Sequence, residues 1–128
     1  MAQQRTDPRL DKTITEGDPD TLISYAMELG QRVADQDLGR TQIRNIYGMV
    51  KAFQSKRQRD YRQLKLLIPK LKYAAARQTK LTPLVEALSD GIQLVGNDAD
   101  RFKNFADFFE AVVAYHYAAS EERKKQRS

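Results

Sequence analysis

Between residues 40 and 80 the chain carries twelve basic side chains against a single acid, Asp60. Arg40, Arg44 and Lys51 recur at spacings of four and seven, which on a helix puts them on one face; Arg62, Lys65 and Lys72 repeat the arrangement further on. Cations at this density, with almost no acid between them, suit the attraction of a polyanion, above all the phosphates of a nucleic acid. The plainer alternative is a solvated surface, but such a surface ordinarily mixes signs to limit repulsion. A membrane surface fits less well, because these helices spend their apolar faces on a core and Trp is absent. Tyr47, Tyr61 and Tyr73 stand among the cations, where aromatic rings can stack on exposed bases. Tyr47 and Tyr61 fall on apolar stripes and read as core residues with a hydroxyl at the edge, whereas the pattern leaves Tyr73 open.

Catalytic chemistry finds little footing. There is no Cys, and His116 is the one imidazole, so neither a Cys–His dyad nor a pair of His metal ligands exists. Asp18 and Asp20, like Asp98 and Asp100, are carboxylates two apart at expected helix starts, where they favour the helix dipole without any chemistry. No phosphate-cradling glycine loop, no G-x-S-x-G elbow and no metal-binding Asp repeat is present. The chain is expected to be no enzyme and to need no cofactor or metal. His116 is expected as a hydrogen-bonded side chain near a helix end.

The elements that must position the cations are all helical. Asp18-Pro19 is a cap followed by a proline at the first helical position, and Leu22, Ile23, Ala26, Met27, Gly30 and Val33 follow with helical spacing to an end at Gly39. Thr41 is the expected cap of a second helix, with Ile43, Ile46, Tyr47, Val50 and Phe53 on one stripe to about Ser55. Asp60 is the expected cap of the next helix, in which Tyr61, Leu64, Ile68, Leu71 and Ala75 keep phase across Pro69; the proline predicts a kink or short break near Ile68. Thr82-Pro83 repeats the cap-plus-proline signature, and Gly96-Asn97 ends that helix. Asp98 caps the last one, where Phe102, Phe105, Phe109, Val112, Val113 and His116 trace a broad aromatic face. The phenylalanines read as core, but Phe105 and Phe108 cannot both join that face unless it is very wide, so one of them is expected to touch a partner subunit. Nothing alternates with period two, and the pattern predicts an all-α, single-domain bundle of about five helices.

At 128 residues with 41% hydrophobic residues, one core is the economical expectation, since a chain of this length buries roughly two-thirds of its unfolded surface. Residues 1–17 are polar and aperiodic and read as a flexible leader, 18–120 as a helical-bundle RNA-binding domain, and 121–128 as a basic tail that frays. No apolar run approaches the roughly 20 residues of a membrane span, and a polar start without cysteines points to a cytoplasmic setting. The net charge of +5 hides a segregation: −4 over residues 1–39, +11 over 40–80, −6 over 81–122 and +4 over 123–128. An acidic surface on one copy meeting the cationic surface of the next would set register in a head-to-tail repeat, with Glu86 and Asp90 as candidate acids.

Three segments stand out together: IRNIYGMVK at 43–51, PKLKYAAAR at 69–77 and FADFFEAVVAYH at 105–116. In this order and spacing, over about residues 22–117, the chain closely resembles the small-subunit family of type III-A (Csm) CRISPR effector complexes. The resemblance implies an all-helical protein present in several copies, stacked along the inner filament of a ribonucleoprotein beside the crRNA-coating backbone subunits. It also implies no nuclease activity: target-RNA cleavage belongs to the backbone subunit, and DNA cleavage and cyclic oligoadenylate synthesis to the large, polymerase-like subunit. The implied partners are crRNA and target RNA, the backbone, large and capping subunits, and other copies of itself, without a membrane. Because the guide supplies sequence recognition by pairing, such a subunit is expected to touch phosphate and sugar. The expected contacts are Arg44, Lys51, Lys70 and Arg77 within the motifs, with Arg62 and Lys65 beside them. Arg77 has a structural alternative, an ion pair with an acid of the first or last helix. Two other readings of the whole chain are an independent helical nucleic-acid-binding regulator and a purely structural bundle.

Overall fold

A computed structural model describes residues 7–35 and 40–127. Those residues form seven α-helices and no strand: α1 (Pro8–Asp11), α2 (Pro19–Arg32), α3 (Arg40–Gln54), α4 (Tyr61–Lys65), α5 (Leu67–Arg77), α6 (Thr82–Val95) and α7 (Ala99–Arg127). The cap residues act locally. Asp18 accepts from the Thr21 amide, Asp60 from that of Arg62 and Asp98 from that of Arg101, each satisfying a donor left free at a helix start. The hydrogen bonds from Thr21 hold the Asp18 carboxyl below the usual carboxylate range. Two other expected caps are displaced. Thr41 already lies inside α3, and Thr82 is the first residue of α6, entered through a 3-10 turn at Thr79–Leu81 that takes the place of a side-chain cap. Gly96, at φ 56°, ends α6 as expected, while the expected stop at Gly39 lies outside the described residues.

Pro69 has the effect expected of it, slightly upstream. It cannot donate to the Lys65 carbonyl, and the helix breaks right after Lys65, with Leu66 as a turn before α5 begins. The break leaves the Leu66 side chain 45% exposed.

Helix α7, of 29 residues and roughly 43 Å at 1.5 Å per residue, is the axis of the molecule. Phe53 of α3 lies edge-on to Phe102 and Tyr47 to Phe109, so α3 runs antiparallel to α7. Gly17 meets Asn104 and Gly30 meets Val112 to His116, so α2 runs parallel to it. Helix α6 packs on a third side, near Phe105. Enclosed in this way, α7 buries a sector of about 160°, at about 100° per residue, and Phe102, Phe105, Phe108 and Phe109 all point into the core. Neither Phe105 nor Phe108 reaches the surface, contrary to the expectation that one would. His116 is also buried, well inside α7 rather than near its end.

Three further expectations are corrected. The leader is folded from Asp7 onward: α1 continues into one π-helical turn at Lys12–Glu16, and Leu10 and Ile14 enter the core. Arg9 joins this segment to α2 by bonding Asp7 and Glu28 at 2.9 and 2.7 Å, with its guanidinium 4.5 Å from the centre of the Tyr25 ring. Asn104 donates to the Ile14 carbonyl at 3.0 Å, occupying an acceptor of the π turn. The basic tail continues α7 to Arg127 instead of fraying at 121. On α2 the buried face is Tyr25, Ala26, Leu29 and Gly30, while Ile23 and Met27, expected inside, are exposed.

The α2–α7 contact is close enough to demand glycine. A Cβ on Gly30 would lie 2.8 Å from the His116 backbone nitrogen and 2.9 Å from the Val112 carbonyl oxygen. Backbone atoms cannot swing aside, so Gly30→Ala should cost about 1–3 kcal/mol through enforced separation of the helices, outweighing the gain in helix propensity. Urea denaturation followed by circular dichroism checks this; Gly48→Ala, where no atom lies within 4 Å of the added Cβ, is the control and should be neutral or stabilising.

Candidate nucleic-acid interface

The cations enter the surface through three elements. Helix α3 buries Ile43, Ile46, Val50 and Phe53 and exposes Arg44 and Lys51 away from them. Helix α4 exposes Arg62 and Lys65, and α5 exposes Lys70, Lys72 and Arg77 while burying Leu67, Leu71 and Ala74. All six expected contact residues are therefore exposed, but they do not form one patch.

Lys51 faces α7. Its ammonium lies 5.9 Å from the centre of the Tyr47 ring, and it shares a small cleft with Asp107 and Glu110. Tyr47 is fixed there by an edge contact to Phe109 and by donating to Glu110 at 3.3 Å, and burial raises its phenol above the ordinary range. Arg44 lies on the Lys51 side of α3, roughly half a turn around the helix from Gln42 and Met49. Lys72 points toward α6, where its charge partly offsets the effect of burial, which raises the Asp90 carboxyl above its usual range.

Lys70 and Arg77 occupy a different side. They flank Tyr73 on one stripe of α5, and Arg77 donates to the Tyr73 hydroxyl at 3.2 Å, with its guanidinium 5.8 Å from the ring centre. Arg77 thus pairs with a tyrosine of its own helix where an acid of the first or last helix was the structural alternative. Between this stripe and α3 runs a groove of about 430 Å³ whose apolar surface comes from Ile46, Met49, Pro69 and Ala74, with Gln42, Asn45 and Lys70 among its polar lining. A second groove of about 330 Å³ continues it past Met49 toward Leu66, Gln63 and Lys56. Met49, Leu66 and Tyr73, at 40%, 45% and 64% exposure, put three large apolar side chains along this line.

Tyr61 is half-buried against Phe53 and Phe102, as its stripe predicted, and of the three tyrosines among the cations Tyr73 is the one that reaches solvent. The groove residues Gln42, Asn45 and Met49 have no signal in the sequence, because only the fold brings α3 and α5 to opposite sides of one groove. Tyr73 had one, since it falls three residues after Lys70 and four before Arg77. Arg59 is engaged elsewhere: it donates to the Gln54 carbonyl at 3.0 Å and lies over Phe102, tying the α3–α4 connection to the core.

The acidic side is separate. Glu86 and Asp90 of α6 line a cleft of about 370 Å³ with Asp7 and Glu28, and Arg9 is the cation among them together with Arg32. Among the described residues no cluster of three or more His, Cys, Asp or Glu is placed to hold a metal ion, and no helix is long and apolar enough to cross a membrane.

Neither the curated proteins nor the solved structures contain a significant match. The family model described as Csm2 Type III-A matches residues 16–122, a span that begins at the end of the π turn and takes in every helix from α2 to most of α7. With the all-helical fold, this match shows that the chain belongs to the Csm2 Type III-A family, the small subunit of the Csm complex of type III-A CRISPR systems.

Proposed function

We propose that this chain is a non-catalytic subunit that lines the inner filament of the type III-A effector and binds the crRNA–target RNA duplex through sequence-independent contacts to phosphate. The observation that carries the reading is the exposure of Arg44, Lys51, Arg62, Lys65, Lys70 and Arg77 across α3–α5, a stretch whose one acid is used as a helix cap. Such cations act by neutralising phosphates and releasing counterions, a term indifferent to sequence. Copies of the chain, the crRNA-coating backbone subunit and the large and capping subunits are the partners this role requires. The acidic cleft around Glu86 and Asp90 suits contact with a cationic neighbour.

The test is binding of the purified full chain to unrelated single-stranded RNA across a salt series. Removing one cation that neutralises a phosphate should lower the slope of log affinity against log salt by about 0.7. Arg44→Ala with Lys51→Ala, and separately Lys70→Ala with Arg77→Ala, should each flatten the slope by about 1.4 with helicity unchanged. Wild-type affinity and slope in both double variants would overturn the assignment. Strong preference for one duplex sequence, without co-purification with crRNA and the backbone subunit, would point instead to a regulator.

A further inference from the structure

We infer that the groove between α3 and α5 receives an unstacked nucleobase of the bound RNA, laid against Tyr73, while Lys70 and Arg77 hold the neighbouring phosphates. The inference rests on the proposed RNA-binding role and adds to it a contact with a base. Four observations meet at this place. Tyr73 is 64% exposed yet not free to wander, because Arg77 bonds its hydroxyl from the next turn. An exposed ring held in position is a stacking platform, and every base offers it a π-face. The groove beside it, about 430 Å³, lies within the roughly 300–1,000 Å³ of small-ligand sites, and its surface is mainly apolar. Gln42, which lines it, has a buried Oε1 with no hydrogen-bond donor. An acceptor left in this state is costly, and a small rotation of the side chain would offer it to an exocyclic amino group of a base.

Charge selects the occupant. Lys70 and Arg77 stand one on each side of Tyr73 along the helix, and no acid lines the groove. An apolar peptide segment could donate a backbone amide to Gln42 but would leave these cations unmatched. A nucleotide satisfies them together, with its base in the groove and its phosphates beside the cations. Arg44 and Lys51, on the far side of α3, take no part in this contact.

The experiment uses the full chain and a short oligoribonucleotide carrying one 2-aminopurine flanked by abasic sites, so that the protein supplies the only stacking partner. Binding should quench the fluorescence. Tyr73→Ala should abolish the quenching and weaken binding of a fully based oligomer roughly 5- to 150-fold, the range set by the loss of one stacked base. Tyr73→Phe, which keeps the ring, should retain most of the quenching. A wholly abasic oligomer should bind wild type and Tyr73→Ala equally. Salt-sensitive RNA binding with no quenching would overturn this inference and leave the phosphate-binding role intact. Absence of RNA binding at low salt would overturn that role and this inference with it. Normal quenching and affinity in Tyr73→Ala, combined with impaired self-association by sedimentation, would assign the groove to a protein partner instead.

Discussion

Phe108→Ala is expected to lower the unfolding free energy by about 3–5 kcal/mol, the range for deleting a fully buried aromatic ring, and the melting temperature by roughly 10–20 °C. The ring is 0% exposed and stacks on Tyr25, with centroids 5.3 Å apart and planes 30° from parallel. Removing it opens a cavity between α2 and α7 at a point where neither helix can close in, because Gly30 already brings the two backbones to their limit one turn further along. Tyr25 is left without a partner on one face while Arg9 remains over the ring, so the damage extends to the ion pairs that join α1 to α2. Denaturant unfolding of the isolated chain gives the number directly. A loss below about 1 kcal/mol, accompanied by failure to enter the effector complex, would place Phe108 at an interface between subunits and contradict the packing of α7.

The same helix shows what a sequence pattern can and cannot reveal. Capping is local chemistry, and Asp18, Asp60 and Asp98 could be recognised because each bond spans two or three residues. Pro69 is local too, although the chain breaks at Leu66, where the Lys65 carbonyl would have gone without a donor. Which residues of a helix are buried is a different kind of question. Helix α2 has apolar residues on more than one side, and only the position of α7 decides that Tyr25 and Leu29 go inward while Ile23 and Met27 stay out. On α7 a broad aromatic face was expected, and three packed neighbours together with the π turn widen it enough to take in both Phe105 and Phe108.

The cations divide along the same line. Charge is conspicuous in sequence, and a Lys or Arg away from the apolar stripe is safely assigned to the surface, so the exposure of all six residues was legible. Their grouping was not. Arg44 and Lys51 share a face of α3 with each other but not with Lys70 and Arg77, because α3 turns that face toward the α7 acids Asp107 and Glu110 and presents Gln42, Asn45 and Met49 to α5. One cationic stretch in the sequence thus becomes two separate surfaces in the fold, one beside acids and one beside an apolar groove.

Ile14→Ala tests the segment where pattern and fold disagree most, and it should cost about 2–5 kcal/mol, as expected for truncating a core isoleucine. Two apolar residues, Leu10 and Ile14, are too few to display a period, and a polar run with a proline ordinarily reads as a loose terminus. Their spacing of four nevertheless puts both on one side of a short helix, and each is at most 1% exposed. The segment is held by tertiary bonds instead of by propensity: Asn104 donates to the Ile14 carbonyl, Arg9 reaches Glu28, and Gly17, at φ 68°, allows the chain to turn into α2 beside Asn104. Because helices this short are not stable alone, loss of the Ile14 side chain should release residues 8–16 together. Hydrogen exchange should then show their amides protected in the wild type and fast in the variant, alongside the shift in the denaturation midpoint. A change below about 0.5 kcal/mol, with fast exchange already in the wild type, would restore the segment to a flexible leader and remove it from the core that α7 organises.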